Sequence, residues 1–395
     1  MKKVLLLLIL PVLAVAAASC SKNSGSDDLP EPTITGITTD YEGKAVAGKP
    51  VQLSGTNFSS KLSDVKVLMG VGLDSKSLEV TEATETKIVF IAPQTDRTQA
   101  KIRVSIKGKE SLSVILEFTK EPEPWDDTPS IVLEGAKTVK IREGVEWTTF
   151  HGMWEGQIRK INILRTTLNE HNRLGIYYNY SDDNLMDLDQ KCEYLDALVG
   201  TNGPMACCHF VRVNGEVKRN ARENDPSEYF VYNCALTIDD NVPSIVKVKD
   251  NFDAAALPNK TVGAGGPLLV YEGVIQEYKE DYTADFLKTT HPRTAIGISR
   301  DHKTFVQVAI DGRWDRSTAD ERAIGMETPL LAKFMKGMGC YYAMNMDGGG
   351  GTAMWVYGQG NSRNIVNHVC ENRWDWNGTK LRATGNAIYI VSDLK

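Results

Sequence analysis

Basic character is what this sequence most lacks. Its 395 residues carry a formal net charge of -6 and no long Lys/Arg tract. That leaves no electrostatic footprint for nucleic acid or an anionic lipid surface. CxxC pairs and His-bearing ligand spacings are also missing, which argues against a zinc site. The apolar run at residues 4–18 is too short for a comfortable bilayer span. A content of 42% apolar and 24% charged residues is ordinary for globular chains and excludes disorder over most of the length, which suits two or three domains.

Lys2 and Lys3 precede that apolar run, and small residues then lead to Cys20, the pattern of a secretory signal. The ending "AAASC" resembles a bacterial lipobox, in which the cysteine becomes the lipidated first residue. The polar "SKNSGSDD" that follows suits a tether over residues 21–31. The reading is an exported protein anchored to a bacterial membrane, outer membrane or cell surface, by acyl chains worth about 0.8 kcal/mol per buried CH₂. The alternative is an ordinary cleaved signal with an incidental Cys20. The other cysteines are Cys192, Cys207, Cys208, Cys234, Cys340 and Cys370, an even set in an oxidising compartment. Disulfides are allowed there, with no means of choosing among the pairings.

Residues 32–119 contain short alternating segments, "KPVQLSG", "VKVLMG", "KIVFIAP", "AKIRVSIKG" and "LSVILEF", separated by Gly, Asn and Asp. The pattern predicts a β-sandwich. "PTITGI", Gly48, "VQLSGTNF" and the "IAP" ending at Pro93 resemble an IPT/TIG immunoglobulin-like domain, a type that spaces or presents a neighbour. Proline and acidic residues at 120–130 read as a stiff linker. The fold class expected is an α+β catalytic domain over residues 131–395, with mixed β-sheet and flanking helices, preceded by an all-β immunoglobulin-like sandwich. Within it, "IRKINILRTTL" and "RLGIYYNY" read as paired strands, and Leu188, Cys192, Leu195 and Val199 fall at helical spacing. Asn214-Gly215 marks one hairpin, and "RDHK" between "TAIGIS" and "TFVQVAIDG" marks another. Thr328 is the expected N-cap of a helix with Pro329 at its first position. Leu331, Phe334, Met335 and Met338 form its core stripe and Gly339 closes it.

After that helix, "CYYAMNM" reads as a buried strand that delivers Asp347 to four glycines, Gly348, Gly349, Gly350 and Gly351, followed by Thr352; "TAMWVYG" then leaves as another strand. Ordered glycine is costly, so such a run implies φ > 0 or close approach of backbone to something bound. Converging N–H groups in such a loop make an anion nest.

Several motifs in order are similar to those of the phosphodiester glycosidases: "INIL", "TNG" at 201–203, "GAGGPLLVYEG", "HPRTAIGIS", "VAIDGRWDRSTAD", "NMDGGGGT" and "RATGNAIYIV". The resemblance covers about 260 residues and implies hydrolysis of a sugar linked through its anomeric oxygen to a phosphodiester, with no cofactor. Oxocarbenium character at the anomeric carbon calls for a carboxylate, and the departing phosphate calls for a cationic or N–H-rich cradle. Asp347 is the first choice for nucleophile or base, unless it only caps a turn. Asp311, in "DGRW", is the second carboxylate or, alternatively, a turn residue. Arg293 is the best phosphate clamp because guanidinium is bidentate; the bland alternative is a surface arginine. Arg313 and Arg382 are weaker candidates. Asn202 and Asn345 hold sugar hydroxyls, orient the aspartates or serve only local backbone.

Two departures from the family pattern stand out. "NGPMACCHF" lacks the expected aromatic neighbour of the sugar, for which Phe210 or Trp314 are substitutes. Gly351 stands where a Ser is common, with the Thr352 hydroxyl nearby. His209 is either a proton carrier in that loop or a structural residue. The rival reading is a non-catalytic surface lipoprotein that binds phosphorylated or other glycans through the loop. Two aspartates beside the cradle separate the readings, since a pure anion binder gains nothing from negative charge there.

Overall fold

The computed structural model describes residues 30–39, 43–70, 75–120, 125–179, 185–204, 209–222, 232–278, 284–314, 318–371 and 380–394. Cys20, most of the tether, Cys207 and Cys208 lie outside these residues. The chain divides into two compact units, Met1–Pro124 and Trp125–Lys395. The expected linker is therefore shorter at its far end. Ser130 and Ile131 donate backbone N–H groups to Gly337 O, and Arg165 donates to Asp127 O at 2.9 Å, so these residues belong to the second unit.

In the first unit, strands Thr33–Thr38, Pro50–Thr56, Lys87–Ile91 and Val80–Ala83 form one sheet. Ala45–Val46, Val114–Thr119, Gln99–Ile106, Val65–Met69 and Lys76–Leu78 form the other, with Lys109–Glu110 beside Gln99–Ile106. Alternation along each strand sends Val51, Leu53, Ile88 and Phe90 from the first sheet, and Val67, Ile102, Val104 and Leu116 from the second, into one core.

The second unit is mostly β-sheet, and every strand pair recorded in it is antiparallel. This corrects the expected mixed sheet, and the helices that accompany it are few and short. The large sheet runs Lys137–Arg142, Val145–Trp154, Gln157–Thr167, Thr304–Ile310, Arg293–Ile298, Tyr342–Asn345, Leu268–Tyr271, Val274–Ile275. A second sheet orders Asn172–Tyr178, Asn386–Ser392, Val199–Thr201 and Met354–Val356. The third orders Glu216–Arg219, Val211–Val213, Thr261–Gly265, Cys234–Asp239 and Val242–Lys247.

Both faces of the central strands are buried, which explains their nearly unbroken apolar runs. Phe305, Ile296, Ile298 and Met344 face Ile176, Ile388, Met354 and Leu236 of the other two sheets. Val306, Val308, Ala295 and Ala343 face the helix Thr328–Gly337 through Leu331, Phe334 and Met335. Truncating a buried Leu or Phe in such a stripe costs about 2–5 kcal/mol.

Local readings shift in places. The helix N-cap is Glu327, so Thr328 lies one position inside, and Gly339 takes φ 80° just past the C-cap Met338. Gln157–Thr167 pairs with Val145–Trp154 and Thr304–Ile310, and Asn172–Tyr178 pairs with Asn386–Ser392, so the two strands expected to pair do not. Val199 opens a strand, while Leu188–Tyr194 is helical. The hairpins expected at Asn214-Gly215 and at "RDHK" are present. Among the described residues Cys192, Cys234 and Cys340 are buried free thiols, and Cys370 is buried as well.

Candidate active site

Sheet register brings the distant motifs together. In the large sheet Ile310 pairs with Arg293 and Asn345 pairs with Ala295, so Asp311, Pro292 and Asp347 emerge at one end. In the second sheet Thr201 pairs with both Met354 and Ile388, which puts Asn202, Thr352 and Asn386 at neighbouring strand ends.

The glycine loop is pinned there. Asp347 N–H donates to Gly203 O at 3.1 Å and Gly349 N–H to Pro292 O at 3.0 Å. Asn202 is 1% exposed and spans the loop, donating from Nδ2 to Asp347 O at 2.7 Å. Its Oδ1 accepts from Ala353 N at 3.1 Å and Thr294 Oγ1 at 2.7 Å. Asn202 thus ties the loop that carries Asp347 to Ala353 and Thr294. Asn345 is buried and spends its Nδ2 on Met346 O at 2.6 Å.

The loop is not the ring of converging donors expected from four glycines. Gly349–Gly351 forms a 3₁₀ turn. Gly348 N–H donates to Asp347 Oδ1, Gly351 N–H to Gly348 O and Thr352 N–H to Gly349 O. Among the described residues only Gly350 N–H, of the four glycines, keeps no partner. The glycines instead make room for side chains. A Cβ on Gly349, where φ is 61°, would lie 3.3 Å from Arg313 Nη2. One on Gly350 would lie 2.1 Å from Glu371 Oε2 and 2.6 Å from Arg382 Nη2, and one on Gly351 would lie 3.0 Å from Asp347 Oδ2. Two guanidinium groups and two carboxylates therefore pack against the side-chain-free positions of the loop.

Asp347 is partly buried, and that burial raises its carboxyl to about 6, against the pull of Gly348 N–H and Arg382 toward the ionised form. Such a group changes charge close to neutral pH, as a catalytic base must. Asp311 is pushed to about 7 by complete burial, although His368 N–H at 2.8 Å and Asn367 Nδ2 at 3.0 Å both donate to it. Asn367 also donates to Thr352 O at 3.1 Å, so Asp311 braces the far end of the glycine loop. With 1% exposure and both oxygens engaged, Asp311 is no second carboxylate open to substrate.

Arg293 is also reassigned. It is 2% exposed, its guanidinium lies over the Phe286 ring, and it donates to Met326 O at 3.0 Å, Phe286 O at 2.7 Å and Thr289 O at 3.3 Å. Those carbonyls take the fork that a phosphate would need. Arg313 and Arg382 hold the cationic positions at the loop. Arg313 sits at φ 66°, in the left-handed region that side-chain-bearing residues enter uncommonly. Trp314 is 3% exposed and donates Nε1–H to His368 O, and Phe210 is 2% exposed, so neither offers a face to a sugar. His209 is buried edge-on against Tyr232, with ring centroids 3.9 Å apart. Thr352 has a buried hydroxyl with no partner among the described residues.

Four contributors escaped the sequence reading. Asn367 and Glu371 lie in an irregular segment with no motif signal. Asn386, inside "RATGN", accepts Gly203 N–H at 3.2 Å and donates to Pro204 O. Lys191, on the helix Leu188–Tyr194, is fully buried, is lowered by that burial to about 8, and donates to Thr384 Oγ1 at 2.8 Å. A charged residue on the buried side of a helix is invisible to an apolar-stripe test. Among the described residues no group of three or more His, Cys, Asp or Glu is arranged to hold a metal ion. A separate cleft of about 410 Å³, lined by Arg173, Asp240, Lys260 and Tyr389 among others, contains none of the residues above.

Residues 197–391 match the phosphodiester glycosidase family. The matched stretch holds Asn202, Arg293, Asp311, Arg313, Asp347, Glu371 and Arg382. Among solved structures, the chain is similar to the zebrafish N-acetylglucosamine-1-phosphodiester alpha-N-acetylglucosaminidase catalytic domain auto-inhibited by its pro-peptide, at 16% identity and TM-score 0.49, covering 65% of this chain and 88% of that one. It is also similar to a hypothetical protein from Synechocystis, at 12% identity and TM-score 0.43, covering 92% of this chain and 81% of that one. A putative exported protein from Burkholderia pseudomallei is similar at 11% identity and TM-score 0.40, covering 94% of this chain and 100% of that one. The curated proteins give no match. The motifs from residue 197 onward, inside the matched stretch, supply the glycine loop and its charged neighbours, while Asn162, outside the match, accepts Trp147 Nε1–H.

Proposed function

We propose that the second unit hydrolyses sugar-1-phosphodiesters at the anomeric carbon, releasing free sugar and a phosphomonoester. The observation that carries this reading is a carboxylate raised to about 6, Asp347, placed on a side-chain-free loop next to the guanidinium groups of Arg313 and Arg382. Water attacks the anomeric carbon, the bond from that carbon to the bridging oxygen breaks, and its electron pair leaves on the phosphate. Asp347 takes the proton from the attacking water. The phosphate departs as an anion without a general acid, and the two arginines neutralise it. The positive charge that builds on the sugar ring is balanced by carboxylate.

The family match over residues 197–391 supports the glycosidase class, and the sequence of the first unit supports an IPT-like spacer that holds this domain off a membrane anchored through Cys20. The test is incubation of the protein with a panel of sugar-1-phosphodiesters, following free sugar and phosphomonoester together. Equal release of both from at least one diester is expected. Binding of glycans without any release would replace hydrolysis by a glycan-binding role.

A further inference from the structure

Glu371 sits where an anionic ligand is expected. Its Oε2 accepts from Arg382 Nε at 3.0 Å and from Nη2 at 2.7 Å, the side-on donor pair a phosphate oxygen uses. The same oxygen occupies the bare face of Gly350, 2.1 Å from the position a Cβ would take, beside the one glycine N–H of the loop that keeps no internal partner. We propose that Arg382 and Gly350 form the phosphate subsite and that Glu371 is a built-in occupant, displaced when a phosphodiester binds.

This rests on the proposed hydrolysis, and charge balance argues for it. Without substrate, Arg382 pairs with Glu371 and acts on Asp347, while Arg313 lies against Gly349, so two positive and two negative groups balance around the loop. A bound phosphodiester adds one negative charge. Moving Glu371 into solvent restores the balance, whereas leaving it in place sets two anions against one guanidinium. The exchange is easy because the pair lies at the surface, with side-chain exposures of 48% for Arg382 and 26% for Glu371, and exposed ion pairs are weak. The consequence is regulated affinity. Glu371 competes with product as well as substrate, so it speeds release of the phosphomonoester.

The test is calorimetric binding of inorganic phosphate to the full chain and to Glu371→Gln, which keeps an oxygen acceptor for Arg382 and removes the competing charge. Phosphate affinity should rise roughly two- to fivefold, the scale of one exposed ion pair, and phosphate inhibition of turnover should strengthen in step. Unchanged or weaker phosphate binding would overturn the proposal and make Glu371 a group that only orients Arg382. Glu371→Asp, which keeps the charge but shortens the reach, gives a second reading in the same direction should the Gln variant fold poorly. Arg382→Gln should lose phosphate binding in either background, and retained binding would overturn the subsite. These readings need no turnover: tighter phosphate binding in a protein inactive on every diester would leave the subsite standing and remove the hydrolysis.

Discussion

The two units of this chain fill their interiors differently. Among the described residues, the first unit buries Thr39, Ser105 and Ser111 as its only polar side chains around an aliphatic core. The second buries Arg159, Lys191, Arg293 and Asp311 outright, together with Asn202, Asn345, Asn367 and Asn386. A buried polar group without a partner costs about 1–3 kcal/mol, more for a charge, so a fold keeps such groups only where they are paired and needed. Asn202, Asp311, Asn367 and Asn386 gather at one end of two sheets, tied to the glycine loop or to the backbone that supports it. A core built only for stability looks like the first unit, whereas the second accepts polar burial that holds the glycine loop and its aspartate in place.

The largest effect expected is at Asp347. Asp347→Asn keeps the shape and removes the base, so kcat should fall by roughly 10²-fold or more while phosphate binding persists. In the parent, kcat should rise through about pH 6 as Asp347 loses its proton, because the ionised form is the active one. That acid limb should vanish in the Asn variant. A parent-like rate in a folded Asp347→Asn protein would make the carboxylate a turn cap.

Gly350→Ala comes next. Its Cβ would lie 2.1 Å from Glu371 Oε2 and 2.6 Å from Arg382 Nη2, both far ends of flexible side chains. The fold should therefore tolerate the change, with a melting temperature close to the parent's, while kcat/KM falls roughly tenfold, a loss of about 1.4 kcal/mol of transition-state stabilisation. A matching loss of stability would mean that the loop serves the fold and not the site.

Arg293→Lys reverses the pattern. Losing donors to Met326, Phe286 and Thr289 carbonyls should lower unfolding free energy by about 1–3 kcal/mol, read from the denaturant midpoint, with little change in KM. A large rise in KM at unchanged stability would return Arg293 to the phosphate. The smallest effect should come from deleting residues 32–119, which ought to leave turnover within about twofold, as expected for separate domains. A folded second unit without activity would refute the spacer role.

The sequence reading went furthest where chemistry is local. Alternation exposed the strands of the first unit, and glycines beside Asp347 exposed the loop, because both signals lie within a few neighbouring residues. Strand pairing was harder: Gln157–Thr167 finds Thr304–Ile310 across the chain, and nothing in either segment names the other. Arginine was harder still. Arg293 and Arg382 look alike in a motif, yet one faces carbonyls and the other the loop, a difference set entirely by tertiary packing. Asp311 was chosen for its Asp-Gly-Arg context, and in that context it is Arg313 that lies against the glycine loop while Asp311 is buried behind it.

Hydrolysis in water enriched in oxygen-18, with mass analysis of the phosphomonoester, tests cleavage at the anomeric carbon most directly. Attack on the sugar breaks the carbon–oxygen bond and returns a phosphomonoester without heavy oxygen, and that result is predicted for the parent across pH 5 to 8, a range of about one to two units around the Asp347 transition. Heavy oxygen in the phosphomonoester would place the attack on phosphorus, contradicting the roles given to Asp347, Arg313 and Arg382.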